Sequence, residues 1–493
     1  MTKPSDVQPI RAADVTNYDH EADVLVVGFG VAGGAAAYEA AAAGAEVIVL
    51  ERASGPGGSS AQSGGELYLG GGTAVQESHG FSGDTPEAMF QYLRAALGPN
   101  ADEEKLRLYC DGSVEHFGWF RDRIGLEFGQ DFFDRPTWMP LAPTDGLMWL
   151  GENAWPYNEL SDVVVPRGHR PAAPGFAGSL VMERMVAAVA EVGAVTHVDT
   201  RAAKLIVDGD RVVGLTARQF GKDVTYRARK GVVLTTGGFV DNEEMLVDHC
   251  PLLLGHGKVS DGLDDGSGIR MAQAIGAATR RMSMCQVAYT ANPAMTARGM
   301  LVNGRAQRFH NEDTYPGLWS EAAIREPGKV WVIMDETGFE EVPPMDGLGL
   351  QPAFAAETIE ELAEEIGLDP RALAQTVENY NAGARAGKDA LGKDPSWLRE
   401  LTGPFAAFDP AKGLSPYAET PPESTGYAGF TLGGLHTTVD GEVLSISGEP
   451  IAGLYAAGRA SSGMHGEGYI SGTSLGDGSF FGRRAGRAVA GTR

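Results

Sequence analysis

Residues 22–28, ADVLVVG, are a short apolar run that ends in glycine. Gly28-Phe29-Gly30-Val31-Ala32-Gly33 comes directly after it. An alanine-rich stretch then reaches about Ala43, Gly44 stops it, and AEVIVLE closes on Glu51. Strand, GxGxxG, helix, strand and terminal acid in this order make the βαβ unit that binds dinucleotides. Glycines at 28, 30 and 33 let the backbone approach a pyrophosphate, which sits at the positive end of the helix that Val31 and Ala32 open. Glu51 is then placed for ribose hydroxyls.

The stretch after Glu51 narrows the cofactor. A plain nicotinamide domain starts another helix here. This chain reads RASGPGGSSAQSGGELYLGGGT over 52–73. Arg52, Gly58, Ser59, Ser60, Ser63, Gly64 and Gly65 supply small hydroxyls and bare backbone along an extended cofactor. Two later segments repeat the strand-then-glycine theme: GVVLTTGGF (231–239), with Thr236 and Gly237, and GLYAAGR (453–459), with Gly458 and Arg459. Ala203 is counted with the same set. Three such segments spread over the chain fit a flavoprotein and resemble the FAD-linked reductases and dehydrogenases.

Composition removes several classes. Forty basic side chains stand against 65 acidic ones, a formal charge of −25. Such a surface repels phosphate backbones and anionic lipid, so neither nucleic acid nor a membrane surface is an expected partner. No run approaches the length of a membrane span, and residues 1–23 hold no apolar leader; a cytoplasmic location is expected. Cys110, Cys250 and Cys285 lie far apart with no CxxC spacing. No metal site is expected, and the three read as buried thiols.

The expected fold is α/β: a Rossmann-like, glutathione-reductase-like FAD-binding domain interrupted by an α+β substrate-binding cap. Residues 1–285 carry the first part of the FAD domain, 286–428 the cap, and 429–493 the part that closes on the flavin. In the cap, 329–336 reads as a strand and 357–366 as a short helix. Asp369-Pro370 caps a further helix through about Tyr380. The segment 134–176, rich in proline and aromatics, reads as an ordered surface excursion.

Near the C-terminal end stands HGEGYISGTSLGDGSFFGRRAG, 465–486. Gly472-Thr-Ser-Leu-Gly476 matches the GxSxG of serine hydrolases, but the strand that a nucleophile elbow requires is missing before it. A helix starting near 475–477 suits the stretch better. Its free N–H groups, aimed at the flavin N1/O2 edge, assign Gly472, Ser474 and Leu475 to cofactor binding. In an extended segment i and i+2 face the same way, so Tyr469 and Ser471 share a side and Ile470 turns away. That pair could carry a proton from substrate carbon to solvent.

The same register resembles the fumarate reductase and succinate dehydrogenase flavoproteins, in which an arginine clamps a dicarboxylate. Here Tyr469 falls at that place, and a phenol lacks the bidentate cationic fork. The early loop SSAQSGG lacks the histidine those enzymes use for covalent attachment, so the FAD is expected to be non-covalent. More closely, the chain resembles the bacterial 3-ketosteroid dehydrogenases of the Δ4-(5α) type. The likeness runs through LGGGT (69–73), ALGPNADEEKL (96–106), GENAWPYNE (151–159), RGMLVNGRAQR (298–308), EDTYPG (312–317), GFTLGGL (429–435) and GYISGTSLGDGSFFGRRAG (468–486).

That resemblance implies an enzyme of steroid degradation acting on a small 3-ketosteroid, with Tyr315, Tyr469 and Ser471 as its catalytic groups. It implies a C4 proton leaving to Tyr469, relayed by Ser471, and a C5 hydride leaving to flavin N5, with Tyr315 positioning or polarising the substrate. The electron acceptor is external and unspecified. Two other readings remain open from the residues: a Δ1-type or other FAD-dependent desaturase or ene-reductase of a cyclic ketone, and an electron-transfer subunit without its own substrate.

Overall fold

The computed structural model describes residues 7–134, 141–288, 293–342, 351–410 and 428–492. The run at 22–28 lies in strand β1 (His20–Val27), succeeded by helix α1 (Val31–Ala42) and strand β2 (Val47–Leu50). Although β1 is almost continuously apolar, its side chains sort by parity. Val24 and Val26 enter one core, Leu25 and Val27 the other. A strand covered on both faces has this composition. Helix α2 (Gly178–Glu191) leads to β3 (Val195–His197), which pairs parallel with β2.

Strands β4 (Thr200–Asp208), β5 (Arg211–Gln219) and β6 (Lys222–Leu234) form an antiparallel meander. The 13-residue β6 serves two neighbourhoods. Its first part pairs with β5. Beyond a register shift between Ala228 and Gly231, its last residues lie parallel between β1 and a strand from the far end of the chain. The result is one nine-stranded sheet.

Between these parts, β7 (Cys285–Ala288) pairs antiparallel with β8 (Ala428–Thr431), with helix α3 (Pro316–Ala323) in the intervening segment. That segment builds a four-stranded sheet in the order 300–302, 331–335, 405–408, 354–356. Parity again divides its sides. Trp331 and Ile333 pack with Leu373, Val377 and Tyr380, while Val332 and Met334 pack with Trp319 of α3. The expected helices run over Ile359–Glu365 and Pro370–Ala386. The second outlasts the expected end at Tyr380 and stops where Gly387 turns left-handed (φ 66°).

Strand β9 (Pro450–Ala456) joins the nine-stranded sheet, and helix α4 (Thr473–Ala490) packs on α1. Glycines 478, 482 and 486 fall four apart on the side of α4 that meets Ala32 and Ala36 of α1. A Cβ at Gly482 would stand 2.5 Å from the Ala32 carbonyl oxygen, and one at Gly486 would strike that of Ala36. The helices therefore touch through backbone. Arg483 locks the crossing, bonding Glu39 of α1 at 2.9 Å and Glu115 at 2.7 Å.

The described part of 134–176 corrects the expectation of a surface excursion. Residues 145–148 and 168–169 join 67–68 and 131–133 in a four-stranded sheet. Arg167 is 1% exposed and makes a bidentate pair with Asp84 at 3.1 and 2.7 Å. Glu152, also buried, accepts from the Leu150 and Arg167 N–H groups and from the Tyr68 hydroxyl. Residues 135–140 of the segment lie outside the described residues, as do 289–292, 343–350 and 411–427 of the expected cap.

Candidate active site

A groove of about 340 Å³ runs from the β1–α1 turn to the start of α4. At one end Gly28 adopts a φ of 98°, and a Cβ there would lie 2.6 Å from the Thr235 carbonyl oxygen. Only glycine fits such a turn. Helix α1 starts at Gly30 without a side-chain cap, and the Val31 N–H reaches Ser60 Oγ at 3.1 Å. The buried Glu51 carboxylate accepts from Phe29 N and Ala53 N, each at 2.8 Å. Those bonds fix its direction, and a carboxylate keeps further lone pairs for a ligand.

Most residues expected to hold the cofactor line this groove: Gly28, Gly30, Val31, Ala32, Glu51, Arg52, Gly58, Ser59, Ser60, Ser63, Gly64, Gly65, Thr236, Gly237, Gly458, Arg459, Gly472, Ser474 and Leu475. Two do not. A Cβ on Gly33 would collide with the Gly28 carbonyl and Thr235 Oγ1, so this glycine serves close packing of helix against turn. Ala203 is displaced by its neighbour Ala202, because alternate residues of a strand face opposite ways. Two of the serine hydroxyls are already engaged: Ser63 donates to the Ser60 carbonyl, and Ser59 bonds Asp261.

At the other end α4 begins at Thr473, ahead of the expected 475–477. Gly472 is its left-handed N-cap (φ 82°) and no side chain caps the helix. Thr473 N donates to the Ile470 carbonyl, and the positive end of the helix lies on the groove. Thr236 Oγ1 is buried there without a hydrogen-bond partner in the described protein, while Ser474 meets the Tyr469 phenol. Buried hydroxyls are rarely left so. Two helix N-termini, the unpartnered Thr236 hydroxyl and the accepting Glu51 carboxylate on one groove suit FAD.

Tyr315, Tyr469 and Ser471 all line this end, and Ile470 is turned into the core. Their pairing differs from the expected one. Ser471 Oγ is bonded to Tyr315 Oη at 2.5 Å, and the Ser471 N–H donates to the same phenol at 3.1 Å. Tyr469 instead stacks on His465 (5.5 Å between ring centres) and stands edge-on to Phe430 at 5.2 Å. These contacts direct its ring toward Ser474. The shared side of i and i+2 is present, yet the serine's partner comes from the start of α3, 156 positions away.

Tyr315 is held there by charge. It precedes α3, with Pro316 at the first helical position. Just upstream, Arg308 grips Glu312 at 2.7 Å through Nε and also bonds Asp389, while the buried Lys393 lies 3.4 Å from Glu312. Burial, reinforced by nearby Tyr469, pushes the Tyr315 phenol well above its ordinary value. Burial raises Tyr469 too, and Ser474 and Arg459 oppose this without reversing it. Both phenols therefore stay protonated near neutrality. The site holds hydroxyl donors, not phenolate bases.

Several groove residues escape a reading of the sequence. Asp264 lies 2.7 Å from Arg459, and burial lifts its carboxyl to about 6 despite that guanidinium. Glu66, raised by burial against Arg170 at 3.7 Å, joins Gln286 and the apolar Met148, Leu150, Phe176 and Phe430 on the wall. Single polar residues carry no spacing signal; the β7–β8 pairing is what brings Gln286 beside Phe430. The groove's arginines are all engaged: Arg52 and Arg201 with Asp265, Arg459 with Asp264. Cys110, Cys250 and Cys285 are buried and free, and no metal-binding cluster occurs among the described residues. Nor, among them, is any helix long and apolar enough to cross a membrane.

The model of the FAD binding domain family matches residues 23–475, and the chain belongs to that family. It is an FAD-dependent oxidoreductase, with FAD as its cofactor. It is similar to the 3-ketosteroid-Δ4-(5α)-dehydrogenase of Rhodococcus jostii RHA1, solved in complex with 4-androstene-3,17-dione. Identity is 45% and the TM-score 0.90, with 98% of this chain and 100% of that one covered. The 3-oxo-5-alpha-steroid 4-dehydrogenase of Comamonas testosteroni is 26% identical over 522 residues, 92% of this chain and 95% of that protein. The probable fumarate reductase Ifc3 of Shewanella frigidimarina is 29% identical over 503 residues, 98% of this chain and 77% of that protein.

Proposed function

We propose that this chain is a 3-ketosteroid dehydrogenase that forms a double bond between C4 and C5, beside the C3 ketone. The observation that carries the reading is the Tyr315–Ser471 hydroxyl pair, 2.5 Å apart, on the same groove wall as Tyr469. Apolar side chains around them suit a rigid, poorly hydrated ketone. The engaged arginines leave no cationic fork for a dicarboxylate, which argues against fumarate chemistry.

Dehydrogenation removes a proton from C4 and a hydride from C5. Bound FAD supplies the two-electron acceptor for that hydride. Tyr469, kept protonated, donates to the ketone oxygen and stabilises the negative charge that develops as the C4 proton leaves. Ser471 Oγ receives that proton as its own hydroxyl proton passes along the hydrogen bond to Tyr315 Oη, and Tyr315 releases its phenolic proton to water in the groove. The serine thus works with the cap tyrosine, and Tyr469 takes the polarising role that the resemblance implies for Tyr315. An external acceptor then reoxidises the cofactor.

Anaerobic addition of a saturated 5α-3-ketosteroid should bleach the oxidised flavin and give the 4-ene-3-ketone. Tyr469→Phe should keep the flavin and lose roughly 10²–10³ in kcat, the usual effect of removing one oxyanion donor. Full activity in that variant, a 1-ene product, or an unbleached flavin with every 3-ketosteroid would sink the reading.

A further inference from the structure

We infer that Glu66 is where the C4 proton comes to rest, reaching this carboxylate through water after it leaves the Tyr315 phenol. The inference deepens the steroid reading above and rests on it. The relay needs such a group. Both phenols stay protonated near neutrality and keep no added proton, and water hands on at once a proton that a carboxylate can hold. Four carboxylates line the groove, and three are committed. Glu51 accepts from Phe29 N and Ala53 N at the β1–α1 turn. Asp261 accepts from Ser59 Oγ and Leu263 N, and Asp264 lies 2.7 Å from Arg459. Glu66 is different. Its ion pair with Arg170 Nε spans 3.7 Å, longer than a hydrogen bond, and that arginine directs its other nitrogens at the carbonyls of Ala142, Ala173 and Gly175. The Glu66 side chain keeps 16% of its surface open, enough for water to reach it.

Its place is the phenol end of the groove. Gly472, the neighbour of Ser471, packs on its backbone, for a Cβ there would lie 3.0 Å from the Glu66 carbonyl oxygen. The carboxylate lies against Gly64, also on the groove wall, where a Cβ would strike Oε2 and stand 2.7 Å from Oε1. Burial lifts both phenols first, and the Glu66 charge adds to the rise at Tyr315 and at Tyr469 alike. Such an effect weakens with distance, so the carboxylate stands near both hydroxyls. Burial also raises Glu66 above the ordinary carboxylate value, and Arg170 opposes this without reversing it. In the full step the C4–H bond breaks and its electron pair becomes the second C4–C5 bond. Its proton goes to Ser471 Oγ, the serine's own proton to Tyr315 Oη, and the phenolic proton through water to Glu66, which ends neutral. The C5–H pair leaves as the hydride.

The experiment follows anaerobic flavin reduction by a saturating 5α-3-ketosteroid across about pH 4–9, in the FAD-loaded wild type, Glu66→Gln and Glu66→Asp. Glu66 must be ionised to take up a proton. The wild-type rate should therefore be full above its pKa and fall as pH drops through it. Arg170, Tyr315 and Tyr469 keep one charge state over this range, but Asp264, lifted by burial to about 6, titrates within it. The variants separate the two carboxylates. Glu66→Gln should lose about 10²-fold at neutral pH, the low end for a placed acid–base group, and show no acid limb, with flavin content and absorbance unchanged. Glu66→Asp should keep a limb, displaced in pH as the carboxylate withdraws by one methylene. A Glu66→Gln enzyme that runs at the wild-type rate or keeps the acid limb overturns the inference, and so does a wild type without a limb. Should Glu66→Gln not fold or lose FAD, Glu66→Asp decides: a displaced limb supports the inference and an unmoved one overturns it. Absence of flavin reduction by every 3-ketosteroid in the wild type would sink the steroid reading itself, a result distinct from all of these.

Discussion

The hydroxyl pair offers the sharpest test of the site, because two residues 156 positions apart are claimed to act as one group. Ser471→Ala removes the 2.5 Å bond and the atom that would meet the C4 proton. Tyr315→Phe keeps the ring in its buried place and removes two bonds, one to Ser471 Oγ and one from Ser471 N. At about 0.5–1.5 kcal/mol net per bond, Tyr315→Phe should destabilise the fold by roughly 1–3 kcal/mol and Ser471→Ala by about half as much. Activity should fall far more, since positioned acid–base groups contribute about 10²–10⁴-fold. Independent groups would multiply their losses in the double variant, to about 10⁴ at the least. A relay that fails when either half is missing should leave the double variant no slower than the worse single, as with residues that act as a unit. The assay is the anaerobic rate of flavin reduction under substrate saturation, with protium and deuterium at C4 and urea denaturation of each variant alongside. Multiplying losses, or a Ser471→Ala enzyme that reduces flavin at the wild-type rate, would refute the relay.

Packing and charge give three further expected outcomes. Gly486→Val drives a side chain into the Ala36 carbonyl, and overpacking of about 1–3 kcal/mol should lower the melting temperature and loosen FAD, since the turn before α1 lines the groove. Glu51→Gln keeps one acceptor oxygen but turns an NH₂ group toward a backbone N–H; FAD affinity measured by flavin release should fall by roughly 10–100-fold. The buried imidazole of His169, bonded to Thr73 Oγ1 and the Arg167 carbonyl, is depressed by desolvation from 6.5 to about 4. A depressed histidine gives stability that is whole above pH 6.5 and drains away as pH falls through 4, about 3 kcal/mol in all. Denaturation series across that window should show a shallower loss for His169→Gln than for the wild type; equal slopes would defeat the assignment.

The legible part of the fold is what lies close together in the chain. The β1–α1–β2 unit comes from a contiguous pattern, because strand, turn and helix each leave a local periodicity. Asp369 before Pro370 marks a helix start for the same reason, and its carboxylate does accept from Ala372 N. Glycines 478, 482 and 486 also signal a close helix contact by their spacing, though their partner stays hidden. The segment around Arg167 misleads, since its prolines and aromatics read as a surface excursion until a buried Asp84, 83 positions away, is known. The partner of Ser471 is concealed by the same cause. Parity along a strand tells which side a residue faces, and says nothing of what the cap brings to meet it.

Helix α4 and strand β9 give the molecule a particular order of completion. Arg483 and Glu39, joined across 444 positions, leave a ribosome far apart in time. Until β9 arrives, the end of β6 lacks a neighbour on one flank, and until α4 docks, the small side chains of α1 face water. A nascent chain can assemble the meander and the four-stranded sheet of 300–408 early, but the groove is incomplete before the start of α4 has been made. Premature termination upstream of 450 therefore leaves that flank of β6 exposed, an edge prone to clumping.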